Sequence, residues 1–218
     1  MHPCQGGRPN ALFSESYSYD AVGNGTDAGA GYNPGNRLTS VSWAMYVYDA
    51  DGNVISRTNT ANNQLMQFYW DAGSQLDSVL VSGGGFPSER VDYRYDPYGR
   101  LVLRTATDSA PSTERLYLYG AGSNSSNITK EVDLVSGNTT EYQYGGIDHP
   151  TMSVTRNSAG TVLQSRTYMM DGLGNVVGSA LDGSTGAAII YDSWGNVQTD
   201  STAFMRLGRL RFGFKGML

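Results

Sequence analysis

Apolar and polar residues recur in short alternating runs along the chain, and the runs are closed by clusters of Asp, Asn and Gly. The clearest case is Tyr46-Val47-Tyr48-Asp49-Ala50-Asp51-Gly52-Asn53-Val54-Ile55-Ser56-Arg57. Two tyrosines one residue apart place both rings on the same face of an extended chain, because side chains alternate between faces. Asp49 to Asn53 supplies residues that accept left-handed backbone and tight reversal, and Val54-Ile55 restarts β-branched chain. This segment is predicted as strand, turn, strand.

The unit is repeated. Tyr17-Ser18-Tyr19-Asp20 leads to Gly23, Tyr69-Trp70-Asp71 leads to Ser74-Gln75, and Tyr93-Arg94-Tyr95-Asp96-Pro97-Tyr98-Gly99-Arg100 is nearly complete. Tyr117-Leu118-Tyr119-Gly120 and Tyr142-Gln143-Tyr144-Gly145 keep the tyrosine pair but replace the aspartate. Asp171-Gly172-Leu173-Gly174-Asn175 and Tyr191-Asp192-Ser193-Trp194-Gly195-Asn196 keep the turn. Positions 20, 49, 71, 96, 120, 145, 171 and 192 are separated by 29, 22, 25, 24, 25, 26 and 21 residues. A period in the twenties marks a repeat architecture. Helix-building periodic segments are missing, so an all-β fold of antiparallel hairpins is expected. Gly25 to Gly35 reads as a flexible loop that accounts for the step of 29, and Ser82 to Pro87 reads as a surface loop. Residues 1–16 are expected to be poorly ordered, with the repeat ribbon over 17–145.

These residues resemble the Rhs/YD-repeat proteins, whose motif is roughly Tyr-x-Tyr-Asp-x-x-Gly-Asn/Arg-hydrophobic-x-x-Arg. Asp49 to Arg57 and Asp96 to Arg104 fit it without a gap. The succession Tyr144-Gly145-Gly146-Ile147-Asp148-His149-Pro150, Asp171 to Asn175, Tyr191 to Asn196 and Arg211-Phe212-Gly213-Phe214-Lys215-Gly216 is similar to the Rhs-associated core. The resemblance implies a curved, spiralling β-ribbon that forms a hollow shell around a C-terminal toxin or effector. It implies that 146–218 is the C-terminal part of the core, and that the chain is a fragment ending before a downstream self-cleavage site. The implied partners are the protein's own toxin segment and its secretion machinery, with the full-length protein secreted or at the cell surface. An isolated piece of such a sheet, with its terminal strand edges bare, is expected to dimerise or aggregate.

Composition and charge alter this picture little. The 218 residues include 28 glycines and 15 tyrosines but only 16% charged residues, and a net charge of −5 is spread along the chain. No basic surface for nucleic acid is suggested. Cys4 is the single cysteine, so no internal disulfide is expected. Residues 1–10 lack the apolar stretch of a secretory signal, and no apolar run nears the ~18 residues of a membrane-spanning helix.

Candidate chemistry is sparse, and no catalytic, cofactor or metal residue is assigned. Asp49 to Asn53 looks like half of a calcium loop, but the twelfth position, where an acidic ligand belongs, is Thr60. The glycine run Gly83 to Gly85 lacks the strand, helix and Lys-Ser/Thr pair of a phosphate cradle. His149 has no nucleophile elbow to serve, and one cysteine with two distant histidines makes no zinc site. The tyrosines remain. Paired rings recurring with each turn suit stacking between hairpins, while exposed aromatic stripes would suit a cell-surface glycan, which keeps a glycan- or receptor-binding module as the alternative.

Overall fold

The computed structural model describes residues 16–107, 112–121, 126–184, 187–189 and 191. It is all-β and antiparallel, as the alternation predicts; among the described residues the one helical segment is a 3-10 turn at Asp27–Gly29. Two compact units are present, one formed by residues 1–67 with 82–86, the other by 68–81 with 87–218.

The first unit contains β1 (Gly31–Tyr32), β2 (Leu38–Val41), β3 (Ala44–Tyr48), β4 (Val54–Asn59) and the start of β5 (Leu65–Trp70). Each strand pairs with its neighbour in sequence, with Tyr46 opposite Arg57 and Arg57 opposite Met66. Alternation along β3 sorts the side chains by face: Ala44 is fully buried, whereas Met45 and Val47 are more than half exposed. Gly83 and Gly84 are explained here. Both have positive φ, and a Cβ on Gly83 would stand 2.7 Å from the Asn63 carbonyl oxygen. The glycine run lets one backbone lie against another.

The second unit contains β6 (Leu76–Ser82), β7 (Glu89–Tyr95), β8 (Leu101–Thr107), β9 (Thr113–Tyr119), β10 (Ile128–Asp133), β11 (Thr139–Tyr144), β12 (Pro150–Arg156), β13 (Val162–Met170), β14 (Val176–Leu181) and β15 (Ala187–Ala188). Consecutive strands pair throughout. One face carries the core, in which Tyr117, Ile128, Tyr142, Tyr168, Val176 and Ile189 pack with Leu101, Tyr119, Tyr144, Met170 and Tyr191 at their margin. Directly opposite residues share a face in an antiparallel pair. Tyr142, Ser153 and Arg166 form one such buried row, and Tyr168 and Ser179 another. The opposite face is wetter, with Leu118, Glu141 and Met169 exposed.

The segment Gly25 to Gly35 is not a loop. It holds the 3-10 turn, β1 and the start of a tight reversal. Its Gly and Ala content hides Tyr32-Asn33-Pro34-Gly35-Asn36-Arg37, a further repeat with Asn in place of Asp. The step of 29 therefore divides into 13 and 16 at Asn33.

Candidate functional site

The turns opened by Asp20, Asp49, Asp71, Asp96 and Asp171 share one design. The aspartate N–H donates to the carbonyl of the residue four positions on, at 2.9–3.0 Å, and the N–H of the fourth turn residue donates back to the aspartate carbonyl. That fourth residue has positive φ: Gly23, Gly52, Gly99 and Gly174, with Ser74 in the Asp71 turn. This is the three-residue hairpin loop whose last position is left-handed. One carboxylate oxygen accepts two backbone N–H groups within the turn, as in Asp171 with Leu173 and Asn175, both at 2.9 Å. The other oxygen takes the side chain of the exit residue: Asn24 to Asp20, Asn53 to Asp49, Asn175 to Asp171, and the Arg100 guanidinium to Asp96.

In the Asp20, Asp49, Asp96 and Asp171 turns these bonds favour the charged carboxylate. The Asn24 side chain lowers the Asp20 pKa and the Asn53 side chain that of Asp49, while the Asn175 N–H leads at Asp171. At Asp96 partial burial opposes the shift, and bonds from Arg100 outweigh it. Among these five aspartate turns only that of Asp71 lacks glycine at the left-handed position, where Ser74 has φ +58°. Ser74→Gly is expected to raise stability by about 0.5–1 kcal/mol, read from the urea midpoint at constant slope.

Asn33 and Asn157 build the same turn with an amide oxygen. Asn33 Oδ1 accepts the N–H of Gly35 and Arg37, and Asn157 Oδ1 those of Ala159 and Thr161. Where Gly145 replaces the aspartate, the preceding repeat provides the missing bonds: the buried Asn127 donates to the Gly146 carbonyl at 3.1 Å and accepts the Asp148 N–H at 3.2 Å.

In six repeats the tyrosine just before the turn ties that repeat to the one before. Hydroxyls of Tyr32, Tyr48, Tyr95, Tyr119, Tyr144 and Tyr191 donate to the carbonyls of Gly25, Leu38, Leu76, Leu101, Ile128 and Val176, at 2.7–3.0 Å. Each acceptor is the residue just after the preceding turn's exit residue. The first tyrosines of two pairs, Tyr117 and Tyr142, are buried in the core; Tyr46 and Tyr93 stand opposite Arg57 and Arg104. Tyr17 and Tyr19 are exposed.

Burial raises the pKa of Tyr48, Tyr95, Tyr119, Tyr144 and Tyr191. Tyrosines in the unfolded chain ionise near pH ~10, so between that value and the folded-state pKa the unfolded chain has lost protons that the fold keeps. Stability is therefore complete below pH ~10 and falls as pH rises above it. Urea midpoints from pH 8 to 11.5 should show this decline, and Tyr144→Phe should make it shallower.

The turns also touch each other through their exit residues. The Arg37 guanidinium, the Gln75 amide and His149 Nε2 stand 3.1 Å from where a Cβ would lie on Gly52, Gly99 and Gly174. Those glycines therefore meet two demands, left-handed backbone and room for the preceding repeat. Arg100 lies over the rings of Tyr98 and Tyr119, at 5.4 and 4.6 Å. Asp192, Gly195 and Asn196 lie outside the described residues.

Residues 9–218 match the family model described as the teneurin YD-shell. The chain belongs to that family. No curated protein matches it. Among solved structures, this YD shell is similar to the Photorhabdus luminescens Tc holotoxin pore, with 13% identity over 70% of this chain and 10% of that chain, and a TM-score of 0.36. It is also similar to the structure of TcdB2-TccC3-TEV, with 13% identity over 83% of this chain and 12% of that one, and a TM-score of 0.27. The YD-shell chain thus spans only a small part of either.

Sequence reasoning missed one group in this YD shell. Glu131 is 2% exposed. One of its carboxylate oxygens takes the Arg115 guanidinium and the other the Tyr142 hydroxyl at 3.1 Å, while Arg115 also reaches Asp133 at 3.5 Å. No motif marks Glu131; its only local signal is its place on the same strand face as Asp133.

Proposed function

We propose that the chain is a non-enzymatic wall segment of a shell that encloses a polypeptide, the C-terminal toxin or effector of the longer protein, for secretion or contact-dependent delivery. The observation that carries this reading is the series of tyrosine hydroxyls, each spent on a carbonyl of the preceding repeat. These hydroxyls are engaged in holding successive hairpins together rather than turned toward a substrate. The turn carboxylates are engaged in the same way. Residues 17–145 serve as repeat ribbon and 146–218 as the end of the core, in a protein that works outside the cell or at its surface.

Limited proteolysis of the full-length protein tests the enclosure. The C-terminal segment should survive protease that digests the same segment expressed alone, and cleavage at equal rates would overturn the reading. The glycan-binding alternative needs exposed aromatic rows, whereas Tyr117, Tyr142 and Tyr168 are buried. Specific hits on a glycan array, lost on substitution of the exposed Tyr69 or Tyr98, would favour it instead.

A further inference from the structure

The turn opened by Asp20 ends on Asn24-Gly25, the one Asn-Gly step in the chain. Asn24 does what Asn53 and Asn175 do in their turns, donating its side-chain amide to the aspartate, here at 2.9 Å. The residue that follows is different. Val54 and Val176 stand after Asn53 and Asn175, whereas Gly25 stands after Asn24. Neither reason for glycine applies at 25: its φ is not left-handed, and a Cβ there would meet nothing nearer than the Tyr32 hydroxyl at 3.9 Å. Its N–H makes no hydrogen bond among the described residues, because the bonds of the Tyr19–Gly25 bridge run from Asp20 N–H to the Asn24 carbonyl and from Thr26 N–H to the Ser18 carbonyl. An unbonded, unhindered amide nitrogen therefore lies next to a side-chain carboxamide.

We propose that Asn24-Gly25 is a self-modification site, at which the chain slowly deamidates and unfastens its own first turn. The Gly25 nitrogen attacks Asn24 Cγ and closes a five-membered imide; the bond from Cγ to Nδ2 breaks, and ammonia leaves with the proton from Gly25. Water then opens the imide. Addition at Cγ gives aspartate at position 24, and addition at the main-chain carbonyl gives isoaspartate, whose backbone runs through Cγ with one extra methylene. Both products undo the turn. In the first, a carboxylate replaces the amide that donated to Asp20 and, at 3.3 Å, to Asn36 Oδ1, so two like charges face each other. In the second, the added methylene displaces the Gly25 carbonyl that accepts the Tyr32 hydroxyl at 2.8 Å, and the tie to the next repeat goes with the turn. At Val54 and Val176 the branched side chain crowds the same attack. The reaction needs only water and does not depend on what the sheet encloses.

Peptide mapping by mass spectrometry of the full chain, incubated folded at mildly alkaline pH, should show Asn24 losing its amide at least tenfold faster than Asn53 or Asn175, with aspartate and isoaspartate both formed. Gly25→Val should bring the rate down to that of Asn53 with an unchanged thermal midpoint. Hydrogen exchange of the Asp20 and Gly23 N–H groups should be at least tenfold faster in Asn24→Asp, which is the first product made directly. Equal rates at the three asparagines overturn the proposal, as does an Asn24 that loses its amide only in urea. Aspartate alone, with no isoaspartate, means direct hydrolysis and overturns the route through Gly25. Unchanged exchange in Asn24→Asp overturns the loss of the turn.

Discussion

Tyr142→Ala and Tyr168→Ala should each lower stability by about 3–5 kcal/mol, the range for truncating a large buried aromatic, whereas Tyr98→Ala should cost less than about 0.5 kcal/mol. All three are tyrosines, but Tyr142 and Tyr168 are 8% exposed and Tyr98 is 85% exposed. Burying an aromatic ring removes roughly 150–250 Å² from water. Tyr142 and Tyr168 lie in one cluster with Tyr117, Ile128 and Val176, so a void at either cannot fill without shifting several strands. The hydroxyls add to this: that of Tyr142 reaches Glu131, and that of Tyr168 lies 3.1 Å from Ser153 Oγ. Tyr142→Phe, which keeps the ring, should cost about 1–3 kcal/mol. Urea unfolding followed by circular dichroism separates these cases. Equal losses for Tyr98 and Tyr142 would refute the packing account.

The second large effect is expected at Glu131. Glu131→Ala should cost about 3–5 kcal/mol, because it leaves the Arg115 guanidinium and the Tyr142 hydroxyl facing the space of a buried carboxylate. The pair Lys130–Glu141, on the opposite face at 3.2 Å, is open to solvent; Lys130→Ala should change stability by less than ~1 kcal/mol. A double-mutant cycle between Arg115 and Glu131 measures the coupling directly. A loss below 1 kcal/mol in Glu131→Ala would mean that the site opens to water and that its burial does not govern stability.

The aspartate turns were readable because their chemistry is local. The hydrogen bonds that shape the turn run among Asp49, Gly52 and Asn53 inside one five-residue loop, so residue type and spacing carry the information. The same logic misled at Gly25 to Gly35, where glycines conceal a turn that Asn33 closes with the bonds aspartate makes elsewhere. At Gly145 the cap comes from Asn127, in the preceding repeat, and no five-residue window contains both. Glu131 was invisible for a related reason. Its partners Arg115 and Tyr142 lie on the strands to either side, and only the register of β9, β10 and β11 brings all three together.

Local spacing by itself determined that this chain folds as antiparallel hairpins with a regular turn, and that paired tyrosines share a face, since both follow from the two-residue period of extended chain and the left-handed tolerance of glycine. Only the tertiary structure decided what those tyrosines bind, which glycines also make room for a neighbouring repeat, and that a glutamate is buried while a tyrosine and a leucine at turn tips meet water. Those outcomes depend on how each hairpin meets the next, and contacts that cross from one repeat to another are not written in any single repeat.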